Sequence, residues 1–217
     1  MSLKEQLSRG CGQLGIPVSE MQLEALLHYQ EMLLKWNKVY NLTAITAPQK
    51  MITHHLLDSL AVLPYLQGNN IVDVGCGGGL PGIILAIMLP EKQFVLLDSN
   101  SKKTRFVKQV VIELRLKNVT VEHSRVEQYQ PQHSFDVVLS RAFASLSDML
   151  VWCAHLRSKD GIFLAMKGVN PREEGKLLPD GFRILEQHQL TVPGLDAERH
   201  VVLIDSPEGS QDPNEQV

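Results

Sequence analysis

Apolar residues follow two different rhythms along this chain. In the first third they recur roughly every three to four positions. Leu23, Leu26, Leu27, Leu33 and Leu34 share one side of a helix predicted over 20–37. Ser19 and Gln22 sit at the spacing of a capping box, which satisfies free amides at a helix start. Ile52, Leu56, Leu57, Leu60 and Leu63 mark a second helix over 50–66, so roughly the first seventy residues read as helical. The pattern then shortens. Apolar runs predict strands over 71–74, 94–97 (ending at Asp98), 119–122, 135–140 and 161–166. Between them lie helices over 82–89, 102–116 and 146–155; in the middle one Phe106, Val107, Val110, Val111 and Leu114 face inward. This alternation specifies a parallel sheet covered on both faces. Two further runs, 182–192 and 199–205, read as an edge hairpin, and the polar tail 206–217 reads as disordered.

Five glycines fall between Gly75 and Gly82, where the first strand hands over to a helix. Glycine at that density weakens regular structure, so the turn must need bare backbone. Gly75, Gly77 and Gly79 alternate after Asp73, Gly82 lies in the first helical turn, and Pro81 suits that turn because its missing N–H costs nothing there. Such a turn lets a ligand lie against amides and a positive helix end. The next strand ends at Asp98, where a carboxylate can accept both hydroxyls of a ribose. The run D-V-G-C-G-G-G differs from the dinucleotide pattern G-x-G-x-x-G and matches D-x-G-x-G-x-G of S-adenosylmethionine-dependent methyltransferases. It lacks the P-loop lysine. The expected fold is therefore α/β: a class I, Rossmann-like methyltransferase with a mostly parallel seven-stranded sheet. Its expected organisation is a helical extension over 1–68, the catalytic domain over 69–206 and a disordered tail over 207–217.

Composition narrows the picture only slightly. Apolar residues make up 44% and charged residues 21%, as in ordinary globular domains. No apolar run is long enough to span a membrane and the N-terminus lacks a signal-peptide pattern, so a cytoplasmic protein is expected. The three cysteines form no CxxC pair. Cys76 and Cys153 read as packing residues rather than nucleophiles. His54-His55 has no partner at metal spacing, so no metal is expected. A net charge of −3 does not announce nucleic-acid binding; an RNA substrate would require the basic residues to gather on one face.

Several stretches make the chain similar to the bacterial 16S ribosomal RNA guanine-N7 methyltransferases, the RsmG (GidB) family. They are "LLKWNKVYNLTAI" at 33–45, "HHLLDSL" at 54–60, "VDVGCGGGLPGI" at 72–83, "LLDSNSKKTRFV" at 96–107, "SRVEQY" at 124–129, "LSRAFASLSDML" at 139–150, "AMKG" at 165–168 and "ERHVVLI" at 198–204. Departures are confined to small residues, Cys76 and Gly78, and to Asn100. The resemblance implies S-adenosylmethionine as cofactor. It implies contacts from Gly75 and Leu80 in the glycine loop, beside Gly77, and from Asp98, Ser99, Val126, Glu127 and Arg141. Val126 and Glu127 would meet the adenine. Arg141 would either pair with the methionine carboxylate or hold the incoming nucleobase. The implied substrate is a guanine near the decoding centre, in 16S rRNA or a small-subunit precursor; a monomer is the default expectation for the chain.

Guanine N7 has an exposed lone pair and no proton, so it needs no general base; placement supplies the rate. That fits the absence of an N/D-P-P-Y/F stretch, replaced here by Ser140-Arg141-Ala142-Phe143, and of a Pro-Cys nucleophile. Arg141 and Lys167 are the catalytic candidates, as cations near guanine O6. Lys102, Lys103, Arg105, Arg125 and Arg199 are candidate RNA phosphate contacts. Phe143 reads as a core aromatic in preference to a stacking platform. Trp36 and Tyr40 read as docking the long helix onto the sheet. A small-molecule methyltransferase and a non-catalytic ribosome-assembly factor are the alternative functions.

Overall fold

The capping signals of the first third are made. In the computed structural model, which describes residues 1–206, helix α1 (Leu3–Gln13) opens on a capping box at Ser2. It is a separate helix that the apolar spacing does not single out. Helix α2 (Glu20–Tyr40) opens on the predicted box: Gln22 N–H donates to Ser19 Oγ at 3.2 Å and Ser19 N–H to Gln22 Oε1 at 2.9 Å. It runs past the expected end at residue 37 and stops where Asn41 turns left-handed, at φ 49°. The second predicted helix is not regular. α3 (Pro48–Met51) passes into a π-helical stretch, Ile52–Leu57, and then into α4 (Asp58–Leu60). The tail expected to be disordered, from residue 207 on, lies outside the described residues.

The alternating segment follows its predicted order: β1 (Asn70–Val74), α5 (Gly82–Met88), β2 (Gln93–Asp98), α6 (Ser101–Glu113), β3 (Val119–His123), β4 (Phe135–Ser140), α7 (Leu146–Cys153), β5 (Arg157–Lys167), β6 (Arg183–Gln189) and β7 (His200–Asp205). They form a seven-stranded sheet ordered β3-β2-β1-β4-β5-β7-β6. The first five strands are parallel, and β7 inserts antiparallel between β5 and β6. Chain direction through the sheet reverses between β1 and β4, the place where open α/β sheets bind ligands.

Strand side chains alternate between two cores. Ile71, Val137, Leu164 and Leu203 face one that also takes in α1 to α6; Val72, Val138, Phe163 and Val202 face the other, covered by α7. The N-terminal helices thus complete a face of the sheet. Trp36 packs on Phe106 of α6 with ring centres 5.6 Å apart, and stacks on Tyr40 at 5.3 Å, as the docking role requires. Tyr29 Oη donates to the Gly78 carbonyl at 2.8 Å, tying α2 to the glycine turn. Tyr29→Phe leaves that buried carbonyl unpaired. We expect it to lower unfolding free energy by about 1–3 kcal/mol, read from urea unfolding, since burying an unsatisfied acceptor costs that much.

β5 begins earlier than the predicted strand over 161–166, because Arg157-Ser-Lys-Asp looks like a polar loop. Arg157 is nonetheless buried, 1% exposed, and Nη1 donates to the Lys159 carbonyl at 2.9 Å and Nη2 to that of Ser206 at 2.9 Å. A guanidinium can enter the core when its donors find carbonyls.

Candidate active site

The glycine turn is held by the end of β2. Gly75 and Cys76 donate their N–H groups to the Leu97 carbonyl at 2.8 and 3.1 Å. Gly75 takes φ +71°, and a Cβ there would stand 2.6 Å from Ala142 Cβ. Both backbone conformation and space therefore demand glycine. Gly77 N–H donates to Asp98 Oδ2 at 2.9 Å and Asn100 N–H to Oδ1 at 2.8 Å. Each carboxylate oxygen keeps a further lone pair for a ligand hydroxyl. Asn100 also caps α6 through the amides of Lys102 and Lys103.

The β4 end is fixed by Ser140, a residue the sequence reading did not single out. Its hydroxyl donates to the Val74 carbonyl at 2.7 Å and accepts the Ala142 N–H at 3.1 Å. The turn carrying Arg141 is thus clamped to β1.

Between these ends opens a cavity of about 580 Å³. Gly75, Asp98, Ser99, Val126 and Glu127 line it, together with Lys103 and Arg125. Five of the predicted cofactor residues therefore converge. Gly77 supports Asp98 from behind, and the Leu80 side chain is buried in the core. Phe143 packs half-buried against the second core, as expected, and also borders the cavity, edge-on to Trp152 with ring centres 5.8 Å apart. Trp152 and Asp148 were not foreseen; they come from α7, whose register no local pattern connects to the site. Lys102, Arg105 and Arg125 are exposed and carry no ion pair among the described residues.

Arg141 turns to a neighbouring cavity of about 340 Å³, shared with Lys167, Arg199, His54, His55 and Asp58. Its Nη1 meets Asp58 Oδ2 at 3.1 Å, and Arg199 Nε meets Asp58 Oδ1 at 2.7 Å. Arg199, a candidate phosphate contact, is half-buried and is the partner of a buried carboxylate. Lys167 Nζ donates to the Ala144 carbonyl at 2.7 Å and pairs with Glu174 at 2.9 Å. His55 packs as expected: burial, and then the charge of Arg141, lower its pKa to about 4. The neutral ring accepts from the Thr43 hydroxyl at Nε2, 2.8 Å, and donates from Nδ1 to the His54 carbonyl, 3.1 Å. No group of three or more potential metal ligands occurs among the described residues, and no helix is long and apolar enough to cross a membrane.

The model of one protein family, rRNA small subunit methyltransferase G, matches residues 22–202. The chain belongs to this family, GidB. Its members from Stutzerimonas stutzeri (strain A1501) and Psychromonas ingrahamii are both called "Ribosomal RNA small subunit methyltransferase G". The first is 52% identical over 92% of this chain and 94% of its own length. The second is 52% identical over 94% of this chain and 99% of its own. Among solved structures, the magnesium protoporphyrin IX methyltransferase (ChlM) of Synechocystis PCC 6803 with bound SAM superposes at a TM-score of 0.58. It covers 88% of this chain and 99% of that one, at 16% identity, which speaks for the fold alone. The GidB chain has the class I methyltransferase fold, as its strand order also shows.

One carboxylate in this GidB protein lies beneath the site. Asp73 is fully buried, its Oδ2 accepts the Gly82 N–H at 2.8 Å, and Oδ1 has no partner among the described residues. Burial raises its pKa from 3.8 to about 7. The folded protein therefore holds a proton that the unfolded chain releases across that window. The resulting stabilisation is complete below 3.8 and is lost as pH rises to about 7. Asp73→Asn keeps an acceptor for Gly82 and removes the titration. Its unfolding free energy should fall less than that of the wild type between about pH 4 and pH 7, measured by urea unfolding at stepped pH.

Proposed function

We propose that the protein transfers a methyl group from S-adenosylmethionine to N7 of a guanine in 16S ribosomal RNA, near the decoding centre, acting as a cytoplasmic monomer on free or subunit-bound RNA. One observation carries the reading: a nucleoside-sized cavity and a cation-lined cavity meet at a single sheet edge. Ala142 lines the first and Arg141, its chain neighbour, lines the second. Family membership supports ribosomal RNA as the substrate.

The residues fit the cofactor. Asp98 has lone pairs to spare for ribose hydroxyls, Val126 offers an apolar surface for the adenine, and Gly75 leaves the room that a Cβ would fill. When bound, S-adenosylmethionine would supply a sulfonium methyl carbon open to attack by the N7 lone pair, with the C–S electron pair leaving on sulfur, so that the products are S-adenosylhomocysteine and a cationic N7-methylguanine. No proton moves, so the protein's task is orientation, worth several kcal/mol. Arg141 keeps Nε and Nη2 without partners among the described residues and can donate to guanine O6. Lys167 adds positive charge at the same cavity, while exposed Lys102 and Arg125, with half-buried Lys103, hold RNA phosphates beside the groove.

The test is transfer of labelled methyl to 16S RNA and to small subunits lacking N7-methylguanosine, with the label located by cleavage at the modified base. A single labelled guanine, absent with Gly75→Asp protein, is expected. No transfer from protein that still binds the cofactor would overturn the reading. Arg141→Ala and Lys167→Ala should both slow transfer with the fold intact; unchanged rates in both would remove them from the reaction.

A further inference from the structure

We propose that Asp58 is a positioning residue for methyl transfer, acting through Arg141. It lies on α4, directly after the π-helical stretch Ile52–Leu57, and its side chain is 2% exposed. Wide helical turns of this kind re-aim the residues that follow and recur at functional sites. Asp58 gives one oxygen to each of two guanidiniums from distant segments: Arg141 at the end of β4 and Arg199 just before β7. The pairing joins the N-terminal helices to the reactive edge of the sheet.

Stability alone does not account for this cluster. A buried ion pair is on average no more stabilising than well-packed apolar residues in its place. What the cluster provides is orientation. Arg141 is a long side chain with about 2 kcal/mol of rotamer entropy, and one charge-assisted bond to a rigid carboxylate fixes its plane. With Nη1 committed to Asp58, the remaining donors stay in a guanidinium that is 30% exposed and lines the same cavity as Lys167 and Arg199. Among the described residues, the charged groups lining that cavity with Arg141 are Asp58 from α4, Lys167 from β5 and Arg199 from the segment before β7, with His54 and His55 beside them and the buried Asp73 of β1 acting on Arg141 from beneath. Without Asp58 the two guanidiniums would repel each other and Arg141 would lose its bearing. The inference rests on the RNA-methylation reading above, because the oriented donors need a base to meet.

The test is a double-mutant cycle on RNA methylation with Asp58→Asn, Arg141→Gln and the double variant, alongside thermal melting. Each single variant should lower kcat/KM by about tenfold or more. The double variant should match Arg141→Gln within about twofold, since the role of Asp58 is spent once Arg141 is gone. Losses that multiply would overturn the proposal, because a merely structural carboxylate acts independently of Arg141. A second readout needs no turnover. The Arg141 guanidinium N–H signal in the NMR spectrum, assigned by its loss in Arg141→Gln, should be sharp in the wild type and broadened in Asp58→Asn; an unchanged signal would count against the idea. If Asp58→Asn does not fold, Asp58→Asn/Arg199→Gln keeps the net charge of the cluster and is compared with Arg199→Gln, with and without Arg141→Gln. Wild-type protein that methylates no RNA would overturn both readings; active wild type with multiplicative losses would overturn only this one.

Discussion

Asp98→Ala should weaken binding of S-adenosylhomocysteine by about 100-fold or more. The carboxylate has two tasks. It draws in the N–H groups of Gly77 and Asn100, fixing the glycine turn against the start of α6. Its remaining lone pairs face the cavity, where two ribose hydroxyls would donate. Hydrogen bonds to a charged group contribute about 1.5–3 kcal/mol each, so losing two costs about 3–6 kcal/mol, and each 1.4 kcal/mol is tenfold in affinity. Alanine also leaves the Gly77 amide unpaired, so the turn loosens as the ligand contacts vanish. Calorimetric titration with S-adenosylhomocysteine measures the effect. Asp98→Asn retains acceptors and should lose less. Affinity for Asp98→Ala that stays within about threefold of wild type would remove this residue from the cofactor site.

Gly82→Val should remove about 2–6 kcal/mol of the protein's stability. α5 is buried along its whole length, and a Cβ at Gly82 would overlap Leu96 Cδ2 and stand 2.7 Å from Asp73 Oδ2. Neither neighbour can yield. Leu96 and Asp73 are fully buried in strands at the centre of the sheet, and Asp73 needs the Gly82 N–H as its one hydrogen bond among the described residues. Overpacking costs about 1–3 kcal/mol, and displacing the sole partner of a buried carboxyl adds about as much, so a loss of about 2–6 kcal/mol is expected. A domain typically has only about 5–15 kcal/mol to lose. Gly77 provides the contrast. Nothing lies within 4 Å of a Cβ there, so Gly77→Ala meets only the cost of its left-handed backbone, φ +58°, about 1–2 kcal/mol. Thermal melting of the pair separates steric from conformational demands for glycine; equal melting temperatures would refute this distinction.

The sequence disclosed what is local. The capping box at Ser19, the strand–turn–helix at the glycines and Asp98 at the next strand end all depend on residues a few positions apart, and all are formed. What it hid is held by distant partners. Asp58 sits in "HHLLDSL" among apolar residues, and helical spacing takes 50–66 as one regular helix. The π-helical turn and the two arginines that justify a buried carboxylate are not visible from there, since those partners lie 83 and 141 residues away. Arg199 reads as a surface charge for the same reason, and Arg157 as part of a loop: charged residues are normally exposed, and only the fold supplies the carbonyls or carboxylates that bring them inside. Phe143 packs on the core as its sequence suggests, but the cavity it also borders takes Trp152 from α7, which no local pattern connects to it.

The place of β7 has a consequence for synthesis. It follows every other strand in the chain, yet it lies inside the sheet between β5 and β6, with Val201, Val202, Leu203 and Ile204 all buried. A nascent chain still holding residues 200–205 in the ribosomal tunnel exposes the flank of β5 and leaves β6 with no strand to join. Domains fold as units, and unpaired strand edges invite association while they wait. The sheet of this protein therefore closes only once residues 200–205 have left the tunnel and β7 can enter between β5 and β6.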